Sequence, residues 1–173
     1  ASATPSCDTT GYKFDTQTVG SSTSNATTAT VTSIPYTPTA AGYYKFYAVF
    51  TSAGSIIPVA NDNGANESFA VSAPTSTIST QVSSTSFDLG GSVTDAASIS
   101  ITNGNLNAGY KVEFYVCYNA SATPSCDTTG YKFDTQTVTA NSDHLKTATV
   151  TSIPYTPTAA GYYKFYAVFT SSG

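Results

Sequence analysis

The chain has 173 residues, 9% of them charged and 40% hydrophobic, with a net charge of −4 and a pI of about 4.5. All six positive charges are lysines, so the basic patch and arginine forks with which proteins hold phosphate backbones are missing, and nucleic acid is excluded as a partner. A hydrophobic share of that size permits a packed core, and no apolar run approaches the roughly 20 residues that cross a bilayer, so no membrane span is expected in this segment.

Serine and threonine supply about a third of the chain. Solubility carried by hydroxyls and amides rather than charges is the habit of secreted proteins, which points to an extracellular or cell-surface location. Two long stretches recur. Ala1–Val19 reappears letter for letter as Ala120–Val138, and Thr28–Ser52 as Thr147–Ser171, at one constant offset (120 − 1 = 147 − 28 = 119). Only residues 20–27 differ strongly from their counterparts. A period of that length exceeds the roughly 20–50 residues of a solenoid repeat and matches a whole small domain.

Taken in chain order, the elements are strands. Thr, Val and Tyr dominate, and no periodic Ala-rich run suggests a helix. In the first copy a last strand is expected near Glu67–Val71. Val71–Thr75 reads as a linker, because Pro74 cannot donate to a ladder. Further strands are expected at Ile78–Val82, Ser86–Leu89 and Ser92–Ile101. Tyr110–Tyr118 alternates cleanly, with Val112, Phe114 and Val116 on one face and Lys111, Glu113, Tyr115 and Cys117 on the other. Tyr131–Thr137, Thr147–Pro154 and Tyr162–Thr170 follow. In the last of these, Tyr163, Phe165, Ala167 and Phe169 share one face. Gly90-Gly91, Asn103-Gly104 and Ala160-Gly161 mark turns between strands. Some seven short strands per ~100 residues suggest an all-β, immunoglobulin-like sandwich.

The residues resemble a family. Gly91-Ser92-Val93-Thr94-Asp95, Lys111–Cys117 with Cys126 beyond it, and Pro157–Tyr163 followed by Phe165–Phe169 are similar to the tandem Ig-like repeats of bacterial and archaeal cell-surface proteins. Asn61-Asp62 and Glu67–Val71 complete the likeness. The resemblance implies a stalk, fibre or surface-coat role rather than a reaction. Many such repeats carry a second cysteine pair between their last two strands; here Lys45 and Ser68 stand at those positions. In this frame residues 1–72 are the C-terminal part of one repeat. Residues 73–173 are the N-terminal part of the next, lacking its last strand.

The chemistry-bearing residues are few. Cys117 ends a strand and Cys126 follows a short loop, which predicts a disulfide. Cys7, the counterpart of Cys126, is expected to pair upstream or to be left over. Sequons at Asn25, Asn66 and Asn119 are candidate N-glycosylation sites. Asp62, Asn63 and Glu67 around Gly64 form a weak calcium candidate, for which a plain Asx turn is the simpler reading. Otherwise no metal site and no cofactor are expected. His144 lies in the variable stretch, where the first copy has Asn25, so no catalytic set built on it recurs. Asp8/Asp127 and Asp15/Asp134 read as turn aspartates rather than glycosidase acid pairs. Glu113 and Lys164 are expected to face each other as an ion pair, and Asp95 to be buried and hydrogen-bonded rather than in an isopeptide crosslink.

The expectation is therefore a non-catalytic structural module of a filament, stalk or coat. Its partners are expected to be copies of itself or adjacent repeats, with surface glycans as further candidates. Adhesion through Tyr43, Tyr47, Tyr115 and Tyr166, or a spacer role in a larger secreted protein, are the alternatives. A segment like Ser55–Ser72 is expected to pair with Tyr162–Thr170, with Phe69 and Val71 beside Phe165 and Ala167, either by chain continuation or by head-to-tail assembly.

Overall fold

A computed structural model of the chain describes residues 5–20, 28–52, 57–62, 64–139 and 145–170. Strand pairing among these residues is antiparallel throughout. The chain divides into two compact units, Ala1–Ala73 and Pro74–Gly173.

Among its described residues the first unit contains four short strands: β1 (Gly42–Lys45), β2 (Ala48–Phe50), β3 (Ala60–Asp62) and β4 (Ser68–Val71). β1 pairs with β4 from Gly42↔Val71 to Lys45↔Ser68, and β2 pairs with β3 from Ala48↔Asp62 to Phe50↔Ala60. The returning chain is interrupted between the two pairs by a single 3-10 turn at Ala65–Glu67. Glu67, expected in the strand, ends this turn instead, and its carbonyl accepts from the Phe46 amide at 2.9 Å. Lys45 and Ser68, the two positions singled out by the resemblance, are direct cross-strand partners.

The second unit holds two three-stranded sheets. One has the order β5 (Thr75–Val82), β6 (Asp95–Thr102), β9 (Thr147–Thr151). The other has the order β10 (Tyr162–Thr170), β7 (Lys111–Asn119), β8 (Tyr131–Thr137). Alternation builds the core between them. Ala97, Ile99 and Ile101 of β6 are buried, as are Val112, Phe114 and Val116 of β7 and Ala167 of β10. Leu106 and Val138, both outside strands, are buried in the same core. The outward residues of β6 are Ser98, Ser100 and Thr102, which gives that sheet a hydroxyl-covered face.

Three further strand expectations need correction. Ser86–Leu89 is not a strand: Ser84 Oγ donates to the Ser86 carbonyl at 2.7 Å, and the Gly91 amide donates to the Asp88 carbonyl at 2.9 Å. Gly90 sits at φ +92, so these residues turn the chain. The strand expected at Ser92–Ile101 begins at Asp95, and Val93 makes an isolated bridge to Tyr155. The strand expected at Thr147–Pro154 stops at Thr151.

Identical sequence does not fold identically in the two units. Tyr12–Thr18 repeats Tyr131–Thr137, and Thr28–Thr32 repeats Thr147–Thr151, yet only the second copies are strands. β8 is templated by β7 and β9 by β6. Among the described residues of the first unit no strand corresponds to either template.

Candidate assembly edge

The feature shared by both units is a cluster of four aromatic rings. In the first unit Phe14, Tyr36, Tyr44 and Phe46 pack with centroids 5.3 Å apart (Phe14–Tyr36), 5.4 Å (Phe14–Phe46) and 6.0 Å (Tyr36–Tyr44 and Tyr36–Phe46). In the second unit Phe133, Tyr155, Tyr163 and Phe165 reproduce it at 5.3, 5.6, 6.1 and 5.9 Å. One clamp holds the loop behind each cluster. Asp15 accepts the Ile34 amide at 2.9 Å, and Asp134 accepts the Ile153 amide at 2.8 Å. Sequence reasoning placed Tyr163 and Phe165 on one face but did not join them to Phe133 and Tyr155, although the recurrence of all four rings in both copies was a signal for the cluster.

The clusters differ in what covers them. In the first unit Phe69 of β4 stacks on Tyr44 and packs on Phe46, both at 5.4 Å. In the second unit the equivalent rings Tyr163 and Phe165 belong to β10, which among the described residues pairs with β7. Tyr163 is contacted instead from the β7 side by Tyr118, at 4.9 Å. Tyr162 and Tyr166 on the same strand are 51% and 38% exposed. Among the described residues β10 pairs with β7 alone, whereas the same sequence in the first unit pairs with β4 and β3.

Cys117 and Cys126 form the expected disulfide, with Cα atoms 5.5 Å apart. It draws the loop in so tightly that a Cβ on Gly130 would lie 2.7 Å from the Cys117 sulfur. The Cys7 thiol is unbridged. Gly161 has φ +151, and a Cβ there would meet the Tyr118 ring at 2.6 Å. Gly42, its counterpart, has φ +152 and nothing within 4 Å.

The remaining candidate residues are placed as follows. The Asn119 side chain is exposed and caps its own turn, accepting from the Ser121 amide at 2.9 Å and the Ala122 amide at 3.2 Å. Asn66 is exposed on the 3-10 turn. Asp62 Oδ1 accepts the Gly64 amide at 2.7 Å, an Asx turn. Among the described residues no group of three His, Cys, Asp or Glu side chains is arranged to hold a metal ion. Asn25, Asn63 and His144 lie outside the described residues. Asp8 and Asp127 accept from the hydroxyl and amide of Thr10 and Thr129, and these bonds hold both carboxyls below the usual range.

Two expectations about charge are corrected. Glu113 pairs at 3.0 Å with Lys132 of β8, not with Lys164, because Lys164 stands opposite Cys117 in the β10–β7 register. The Tyr115 hydroxyl donates to Glu113 at 2.7 Å, and this bond, followed by Lys132, lowers the Glu113 pKa. Asp95 is fully buried, but neither carboxylate oxygen has a hydrogen-bond partner or a lysine within reach. Burial alone pushes its pKa up to about 6. Only its backbone is engaged, the amide donating to Ser152 Oγ at 3.0 Å and the carbonyl accepting from the Ser152 amide at 2.9 Å. Of the tyrosines considered as stacking platforms, Tyr115 is buried and unavailable, whereas Tyr43 is 59% exposed.

A scan against protein families finds no match, and searches of curated proteins and of solved structures find none either.

Proposed function

We propose that the chain is a structural module of an extracellular filament, stalk or surface coat, built from repeated Ig-like domains and acting through copies of itself or adjacent repeats. The observation that carries this reading is the duplicated aromatic cluster and its aspartate clamp, held at matching distances in both units. What both copies preserve is packing and loop geometry. A scaffold needs that preserved, and repetition extends its reach. The disulfide suits an oxidising, extracellular setting. Electron microscopy of the native material tests the reading: filaments or a coat with a regular axial repeat are expected, and dispersed single molecules would contradict it.

A second reading, glycan adhesion, draws on exposed rings: Tyr131 is 68% and Tyr43 59% exposed. Such rings are apolar platforms with a polar tip, suited to sugar faces. Binding to a glycan panel, lost in Tyr131→Ala, would favour it over a purely mechanical role.

A further inference from the structure

The two faces of β10 carry different chemistry. Tyr163, Phe165 and Ala167 turn inward to the ring cluster and the core, and the alternate residues Tyr162, Lys164 and Tyr166 are exposed on the outer face. Four strand positions separate the two outer rings by about 13 Å, with the lysine midway. That span is longer than one sugar ring and suits a short stretch of a polysaccharide. Tyr166 packs against the buried Tyr115 of β7 with centroids 6.4 Å apart, and the Tyr115 hydroxyl is fixed by its bond to Glu113 at 2.7 Å. The exposed ring therefore rests on an ordered support, which lowers the cost of binding.

This outer face is also basic, in a chain whose net charge is −4. Lys111 and Glu113 of β7, Lys132 of β8 and Lys164 of β10 stand on it, three cations against one acid. Glu113 is occupied on both oxygens, by Lys132 at 3.0 Å and by the Tyr115 hydroxyl. Asp134, the other acid of this sheet, stands opposite the inward Phe114 and accepts the Ile153 amide at 2.8 Å. Among the described residues Lys111 and Lys164 have no carboxylate partner. We propose that the outer face of β10 and β7 binds a polysaccharide carrying uronic-acid carboxylates. Tyr162 and Tyr166 stack on the apolar faces of its sugars, and Lys164 between them pairs with a carboxylate. Rings alone would accept neutral sugars as well; the unpaired lysines select acidic ones. The first unit carries the same triplet as Tyr43, Lys45 and Tyr47, with Tyr43 exposed. The inference rests on the adhesion reading, to which it gives a face and a sugar class, and is independent of the filament reading.

The test is calorimetric titration of the full chain with polygalacturonate, alginate and hyaluronate, each beside its fully methyl-esterified form, and with polyglutamate as a polyanion that has no sugar face. Binding to at least one of the three acidic polymers is expected, with affinity at least roughly tenfold lower for its uncharged ester and falling as salt is added. Polyglutamate is expected not to bind. Tyr166→Ala and Lys164→Gln are each expected to weaken binding by roughly tenfold, and Tyr166→Phe, which keeps the ring and its packing, to change it by less than about twofold. Lys164 is exposed, so its replacement reads the site without disturbing the fold. Equal affinity for the esters or for polyglutamate, unchanged binding in Lys164→Gln, or no binding to any of the three acidic polymers would overturn the site. Loss of sugar binding in Tyr131→Ala but not in Tyr166→Ala would overturn this face and leave the adhesion reading standing; no binding to any saccharide, neutral or acidic, would discard both.

Discussion

Tyr12–Thr18 and Tyr131–Thr137 are the same seven residues in the same order, yet only the second is a strand. The pair separates what a segment carries in itself from what its neighbours supply. Contacts made over a few residues are identical in both copies. Thr10 meets Asp8 at 2.8 and 2.6 Å, and Thr129 meets Asp127 at the same distances. Contacts made within the repeated block also survive, including the aromatic cluster and the 19-residue reach from Asp15 to Ile34. What is lost depends on β6 and β7. Among the described residues the first copy forms no equivalent of β8 or β9, and the Cys7 thiol is unbridged. Strand formation here is a property of pairs, because an unpaired strand leaves its amides and carbonyls to water.

Several changes break this contrast. The largest effect is expected from Phe114→Ala. Phe114 is fully buried beneath β7, and its truncation removes transfer energy and leaves a cavity, costing about 3–5 kcal/mol. Chemical denaturation is expected to show the loss in the second unit, and NMR spectra to show the first unit's ring-cluster resonances unchanged.

Asp95→Asn tests the core of the same unit through pH. The folded carboxyl titrates at about 6, against about 3.9 when unfolded, so between these values the folded state holds the extra proton. Asp95 therefore destabilises the fold above pH 6, and this penalty fades as pH falls toward 4. Wild-type stability is expected to gain about 2–3 kcal/mol from this group over that window, and the Asn variant to lack that gain. Comparing the two chains at each pH cancels the exposed aspartates. A wild-type curve parallel to that of the variant would contradict the assignment.

Replacing Cys117 and Cys126 by serine removes a crosslink spanning nine positions, which the chain-entropy account values at about 2–3 kcal/mol. Cys7→Ser, at the unbridged equivalent, is expected to leave the melting temperature unchanged. The subtlest contrast is Gly161→Ala against Gly42→Ala. Both impose a left-handed φ on a residue with a Cβ, a cost of about 1–3 kcal/mol, but only at Gly161 does the new methyl also strike Tyr118 and the Asn119 carbonyl. Gly161→Ala is expected to be the more damaging in thermal unfolding; equal losses would mean that the strand packing over Gly161 is dispensable.

These contrasts also mark what was legible in the sequence. Alternation placed Val112, Phe114 and Val116 inward and found β7, β8 and β10, because period-two patterning is written into each strand. The disulfide was legible from a strand end and a short loop. The partner of Glu113 was not. Parity allows both Lys164 and Lys132 on the outer face, and only the register, with its irregularity between Phe114 and Tyr115, decides for Lys132. Ser86–Leu89 was misread because four residues carry too little alternation to outweigh the turn at Asp88–Gly91. Tyr115 was expected to face solvent by parity, but it lies against Tyr166 of the neighbouring strand and is covered. That the sequence of β10 takes different strand partners in the two copies became visible only in the structure.

The most direct test of the central claim is amide hydrogen exchange, read residue by residue by NMR on the full chain in dilute solution. Slow exchange is expected at the paired amides of Tyr131–Thr137 and Thr147–Thr151, and rapid exchange at the identical residues Tyr12–Thr18 and Thr28–Thr32. Equal protection of the two copies would contradict the account, since strand structure would then follow from the repeated sequence alone and not from the templates β6 and β7.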